Sequence, residues 1–137
     1  MAKASVLQFK DYTVEEILFK NVPVSGDKHE FELHPHFKRE LTEIGENQYD
    51  LKLAVEMIST KEHPMPFDLR ISLIGHFALE DESGEVSEEL KNSILKNNTV
   101  AILFPFLRAI VASVTTNANI PSLVLPIMNF ADNTAED

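Results

Sequence analysis

Three stretches of this chain alternate apolar and polar residues, and all three keep the same phase. Phe31, Leu33, Phe37 and Leu41 are apolar at odd positions, with Glu30, Glu32, Lys38 and Glu40 at even ones. Tyr49, Leu51, Leu53, Val55 and Met57 repeat the pattern, and so do Phe67, Leu69, Ile71, Leu73, Phe77 and Leu79. A period of two gives each strand one buried and one wet face. The connecting segments IGENQ (44–48) and KEHPMP (61–66) are short, so the three strands form an antiparallel meander. Pro35 interrupts the first strand and places it at an edge or a bend.

A fourth strand precedes them. Segment 6–19, VLQFKDYTVEEILF, alternates at Leu7 and Phe9 and shifts phase before Ile17 and Phe19; a bulge at Glu15–Glu16 would absorb the shift. NVPVSGDK, from Asn21 to Lys28, is a turn or crossover. After the meander, the acidic DESGEVSEE (81–89) breaks the alternation. Ser87 can cap a short helix carrying Leu90 and Ile94 on one face, and Lys96-Asn97-Asn98 is expected to end it. A second helix runs from about Thr99 to Thr116 and stops at Asn117. NIPSLVLPIMNF is extended, since Pro121 and Pro126 block a helix, and 131–137, ADNTAED, is a polar tail. The expected fold is a single α+β domain over 1–137: a four-stranded antiparallel sheet with a short helix and one long apolar helix packed on one face.

The long helix, AILFPFLRAIVASV at 101–114, has more apolar surface than one sheet can cover. On a helical wheel, Ile102, Leu103, Phe106, Leu107, Ala109, Ile110, Ser113 and Val114 spread over about half the circumference, where a stripe of about 100° is enough for a sheet. Arg108, Ala101, Ala112 and Thr115 share the remaining strip, flanked by Phe104 and Val111. Fourteen residues span about 21 Å, short of a bilayer core of about 30 Å, and Arg108 would make insertion costlier. The surplus implies a homo-oligomer, a dimer or a tetramer, formed through Leu103, Phe106, Leu107, Ile110 and Val114. The alternative is a monomer with the helix sunk deep in its core. Pro105 is tolerable in the first turns or at a kink.

The totals narrow the function. With 12 basic and 22 acidic residues the net charge is −10, which argues against nucleic acid as a partner. Cysteine is absent, which excludes disulfides and thiolate metal sites and fits the reducing cytoplasm. MAKASVLQFKDY has no apolar core of a secretory signal. No phosphate-binding glycine loop, nucleophile elbow or zinc-protease motif occurs, so no enzyme is expected. Among the five histidines, His34 and His36 would share a strand face if Pro35 left it untwisted. Two imidazoles without a clear third ligand make surface histidines the expectation, with no metal or cofactor.

ILFPFLRAIVASV, followed by PSLVLPIMNF from Pro121 to Phe130, resembles the signature of the SecB family of protein-export chaperones. YTVEEILF resembles the family's Tyr-Thr-x-Asp-x-x-Phe segment with one residue inserted. The resemblance covers nearly the whole chain. It implies a dimer of dimers, and ATP-independent holdase binding of unfolded or pre-secretory polypeptides in apolar grooves. It further implies delivery to the SecA motor and a cytoplasmic location. By the same resemblance the groove takes Leu33, Phe37, Leu41, Phe67 and Phe106, with Arg39 where an apolar residue is expected. For Phe37, Leu41 and Phe67 a core role is equally open. The motor-contact surface takes Glu15 and Glu16, while Lys20 and Arg70 stand where the family has acids. The chain closes on the acidic ADNTAED, where the family continues into another helix and a basic tail. Two other roles stay open: a chaperone dedicated to one client, of the antitoxin-protecting kind, and an oligomeric adaptor that binds no unfolded chains.

Overall fold

The computed structural model describes residues 6–22, 33–80 and 87–119. Four strands, β1 (Val6–Asn21), β2 (His36–Gly45), β3 (Gln48–Met57) and β4 (Phe67–Glu80), form one antiparallel sheet in the order β1-β4-β3-β2. The shared phase of the alternation is the register itself. Phe37 faces Val55, which faces Ile71, and Leu41 faces Leu51. Residues directly opposite share a face, so the odd positions build one apolar surface.

Pro35 lies just before β2, and β2 is an edge strand. A proline cannot donate to a ladder, so the strand starts at His36. The expected bulge in β1 is present at Glu15, between Val14 and Glu16, and a second one lies at Lys10, between Phe9 and Asp11. Each extra residue flips the phase once. Leu7 and Phe9 face inward, then Tyr12 and Val14, then Ile17 and Phe19, opposite Leu79, Phe77, Gly75, Leu73, Ile71 and Leu69. Asn47, at a φ of 56°, makes the β2–β3 turn, a left-handed conformation that asparagine tolerates. The 58–66 connection is held by Ser59 N–H donating to Asp68 Oδ1 (2.8 Å) and Met65 N–H donating to Ser59 Oγ (2.9 Å).

The two expected helices are one helical run of 30 residues, Glu88–Asn117. α1 (Glu88–Ser93) begins as expected, with Ser87 Oγ accepting from Leu90 N–H at 3.1 Å. Lys96-Asn97-Asn98 does not end it. Residues Ile94–Asn98 form a π-helical turn that leads directly into α2 (Thr99–Asn117). Asn98 stays helical (φ −75°, ψ −33°), and the Thr99 hydroxyl donates to the Leu95 carbonyl. The turn absorbs the misfit between two helical phases by widening rather than breaking.

At 30 residues the run is long and apolar enough to cross a bilayer, so the length argument against insertion does not hold. Packing on the sheet accounts for one face of that apolarity. Val100, Leu103, Phe104, Leu107 and Val111 are buried in one cluster with Leu53, Val55, Ile71 and Leu73 of the sheet. Each such side chain contributes about 1.5–3 kcal/mol by leaving water. The buried stripe includes Phe104 and Val111, which the wheel placed beside Arg108. The sheet-facing side of the helix is therefore rotated from the one expected. Pro105 lies in the helix interior on the exposed side, where water can take the carbonyl it leaves unbonded. The crossover before Phe31, the PSLVLPIMNF run and the polar tail lie outside the described residues.

Candidate binding groove

The helical run crosses β3 and β4 and leaves the inward faces of both edge strands partly uncovered. On the β2 side this makes a groove of about 350 Å³, lined by Arg39, Leu41, Leu51, Asn92, Leu95 and Lys96. Arg39 and Leu41 belong to β2, Leu51 to β3, Asn92 to α1, and Leu95 and Lys96 to the π-turn. Leu51 and Leu95 are buried at its base, at 2% and 4% exposure, while Leu41 is 38% exposed. Of these leucines only Leu41 offers much surface to solvent, beside an edge strand and above a buried apolar base. The volume sits at the small end of the ~300–1,000 Å³ typical of ligand sites.

The residues expected in the groove are not gathered in one place. Leu41 and Arg39 line it. Phe37 and Phe67 are core residues at 2% and 1% exposure, Phe37 edge-on to Phe104 and Phe67 stacked on Phe19. Phe106 sits on the opposite flank, its ring 4.9 Å from Tyr12 and 5.6 Å from Phe9 of β1. Leu33, exposed, precedes β2. Leu51, Asn92, Leu95 and Lys96 were not anticipated. Leu51 was legible only as an inward residue of its strand, and Lys96 only within a run taken for a helix end.

Of the expected oligomer contacts, Leu103 and Leu107 are fully buried against the sheet within the protomer. Phe106, Ile110 and Val114 retain exposed surface. With Ala101, Ile102, Pro105, Ala109 and Ser113 they make an outer helix face without a charged side chain. Val14 and Ile17 of β1, 41% and 50% exposed, extend the apolar surface on that flank.

The other face of the sheet is polar and holds a hollow of about 520 Å³. Glu15, Glu16 and Arg70 all line it, while Lys20, opposite Asp68, lies outside. The Glu15 carboxylate accepts from Lys52 Nζ at 3.0 Å and from the Ser72 hydroxyl at 2.9 Å. These two bonds, Lys52's first, hold Glu15 below its ordinary carboxylate value. Arg70 Nε donates to Glu56 Oε2 at 2.8 Å. Farther along, His76 Nδ1 lies 2.8 Å from Asp50 Oδ1, and His76 Nε2 lies 2.9 Å from Thr13 Oγ1. His34 lies before β2, which starts at His36, and its ring is tilted at 39° against that of His63, 3.9 Å between centroids. Among the described residues no group of three histidines or acids is placed to hold a metal.

With this geometry the chain can be set beside known proteins. A family model described as the preprotein translocase subunit SecB matches residues 5–133. The protein-export protein SecB of Anaplasma phagocytophilum is 32% identical over 83 residues, 61% of this chain and 52% of that one. An uncharacterised protein of Methanocaldococcus jannaschii is 29% identical over 131 residues, 91% of this chain and 80% of that one. A SecB-like chaperone of Mycobacterium tuberculosis, solved in complex with an antitoxin peptide, superposes with a TM-score of 0.70 at 13% identity, over 89% of this chain and 90% of that one. That likeness is one of fold. The match spans about half the length of the curated export proteins. A four-stranded antiparallel sheet with its helix on one face and a family match over nearly the full length lead to one conclusion: the chain belongs to the SecB family.

Proposed function

We propose that this chain is an ATP-independent holdase that binds unfolded polypeptide segments. The observation that carries the reading is the groove beside the edge strand β2, where exposed Leu41 stands over the buried Leu51 and Leu95. An edge strand can pair with an extended chain through backbone groups, whatever the sequence of that chain. The groove then takes alternate side chains. Together they favour extended, partly apolar segments, which unfolded proteins expose and folded ones hide. Family membership supports the same reading and a cytoplasmic location.

Self-association belongs to the proposal. The uncharged outer face of α2 around Phe106 and Ile110 continues onto Val14 and Ile17, and contiguous apolar surface of this kind favours a second copy. Delivery to SecA does not belong to it. The sheet hollow pairs Glu15 with Lys52 and Glu56 with Arg70, so it presents mixed charge where the family resemblance implies an acidic surface.

The test is native mass by size-exclusion light scattering, with and without a chemically unfolded protein diluted into the sample. The expected result is an oligomer that carries the unfolded chain with it. An oligomer that ignores the chain would remove the general holdase. A chaperone dedicated to one client would then be the better reading, as the fold it shares with the peptide-bound chaperone of Mycobacterium tuberculosis allows.

A further inference from the structure

We infer that α1 is a movable wall of the β2 groove, hinged on the π-turn at Ile94–Asn98, and that it shifts to fit client side chains of different size. The inference rests on the holdase reading and adds how one site takes many sequences. Position 96 stands three, four and seven residues before Thr99, Val100 and Leu103, which are all buried. Those spacings share a face in a regular helix, so a regular helix would turn Lys96 toward the sheet. Instead Lys96 is exposed, and Leu95 is buried with Tyr49 and Leu79. The π-turn takes in one extra residue and gives the inward position to Leu95.

Anchorage changes at the same turn. α2 buries Val100, Leu103, Phe104, Leu107 and Val111 on the sheet. α1 buries no residue, and its Leu90 is 50% exposed. Lys91 of α1 is hydrogen-bonded to Tyr49 of β3, a polar tie that water can replace. The Thr99 hydroxyl, donating to the Leu95 carbonyl, fastens the α2 end of the turn. A short helix without a buried side chain thus meets a firmly packed one at an irregular turn, the arrangement of a hinge.

The groove lies on this boundary. Asn92 of α1 and Leu95 of the turn stand on one side, Arg39 and Leu41 of β2 on the other. β2 is laddered to β3 from His36, opposite Glu56, to Gly45, opposite Gln48, so that side is fixed. A fixed cleft has one best-fitting side chain, whereas an unfolded client presents small and bulky residues in turn. A wall that carries no packed side chain moves at little cost.

The test uses the full chain and two labelled, uncharged peptides that differ at one central residue, valine or tryptophan. Binding is read by fluorescence anisotropy, and opening of the helical run by amide hydrogen exchange. On the unaltered protein, 88–98 should exchange faster than 99–117, and each peptide should slow 88–98. The two affinities should agree within about threefold. Deleting Asn97 leaves Leu95 three, four and seven residues before the present Thr99, Val100 and Leu103, so the run becomes a regular helix with Leu95 still inward. That variant should keep the valine peptide and lose about tenfold on the tryptophan peptide, as overpacking of a rigid site demands. Exchange in 88–98 as slow as in 99–117, or unmoved by a peptide that binds, would overturn the inference and leave the holdase standing. So would an unaltered protein that rejects the tryptophan peptide, or a folded deletion variant that takes both peptides alike. Binding of neither peptide, together with no suppression of aggregation, would overturn both.

Discussion

Gly75 of β4 lies against Leu103 of α2. A Cβ there would sit 2.8 Å from Phe77 Cε2 and 3.1 Å from Leu103 Cδ2. Neither neighbour can yield cheaply. Phe77 is 1% exposed and its ring packs 5.3 Å from that of Phe9, while Leu103 is fully buried. Glycine is therefore required here for space. Gly75→Ala should destabilise the protein by about 1–3 kcal/mol through overpacking, seen as a lower urea midpoint with an unchanged slope. An unaffected midpoint would mean that the helix stands farther from β4 than the contacts indicate. Two buried threonines show the opposite solution, polar groups satisfied locally. Thr115 donates to the Val111 carbonyl at 3.0 Å, and Thr99 to that of Leu95, so neither hydroxyl costs a buried unpaired donor.

At the scale of elements, the bulge at Glu15 lets an edge strand reach over its neighbour. Glu15 belongs to β1, Ser72 to β4 and Lys52 to β3, and one carboxylate joins all three. Its pKa is lowered in the folded protein, first by Lys52 and then by Ser72. A group with a depressed folded pKa adds stability above its unfolded value and loses it as pH falls through the folded one. The melting temperature of Glu15→Gln should therefore lie below that of the unaltered protein at neutral pH. The gap should close as pH drops below the ordinary value of 4.5. Both partners are largely exposed, so added salt should narrow the gap as well. A gap that stays constant from neutral to acid pH would show that the ion pair contributes nothing. The helical run makes the same point about elements. Asn97 and Asn98 look like a stop in sequence, yet the chain carries its helix through them on a wider turn.

At the scale of the molecule, the helix has two apolar faces and the sheet covers one. On the proposed reading the other meets a second copy. Phe106→Glu with Ile110→Glu should lower the native mass by light scattering while leaving the far-ultraviolet circular dichroism unchanged, since neither side chain lies among the fully buried ones. An unchanged mass would move the interface elsewhere. The surplus was legible as a width on the wheel, but its position was not. Leu103 and Leu107 look like contact residues until the sheet is seen to bury them, while Phe104 and Val111 look peripheral and are core.

Periodicity along the chain was enough for the strands, their inward faces and the meander, because a period of two ties each side chain to a face and short turns leave no other pairing. The residue order determined the Ser87 cap, a local bond between neighbours in the chain. It also carried the family likeness. Tertiary structure alone decided that β1 lies beside β4, that Lys10 bulges, and that Leu95 and Lys96 meet Arg39 and Leu41 across a groove. These contacts join residues more than forty positions apart. No local periodicity encodes them, because they depend on where a helix settles on a sheet that has two half-covered sides.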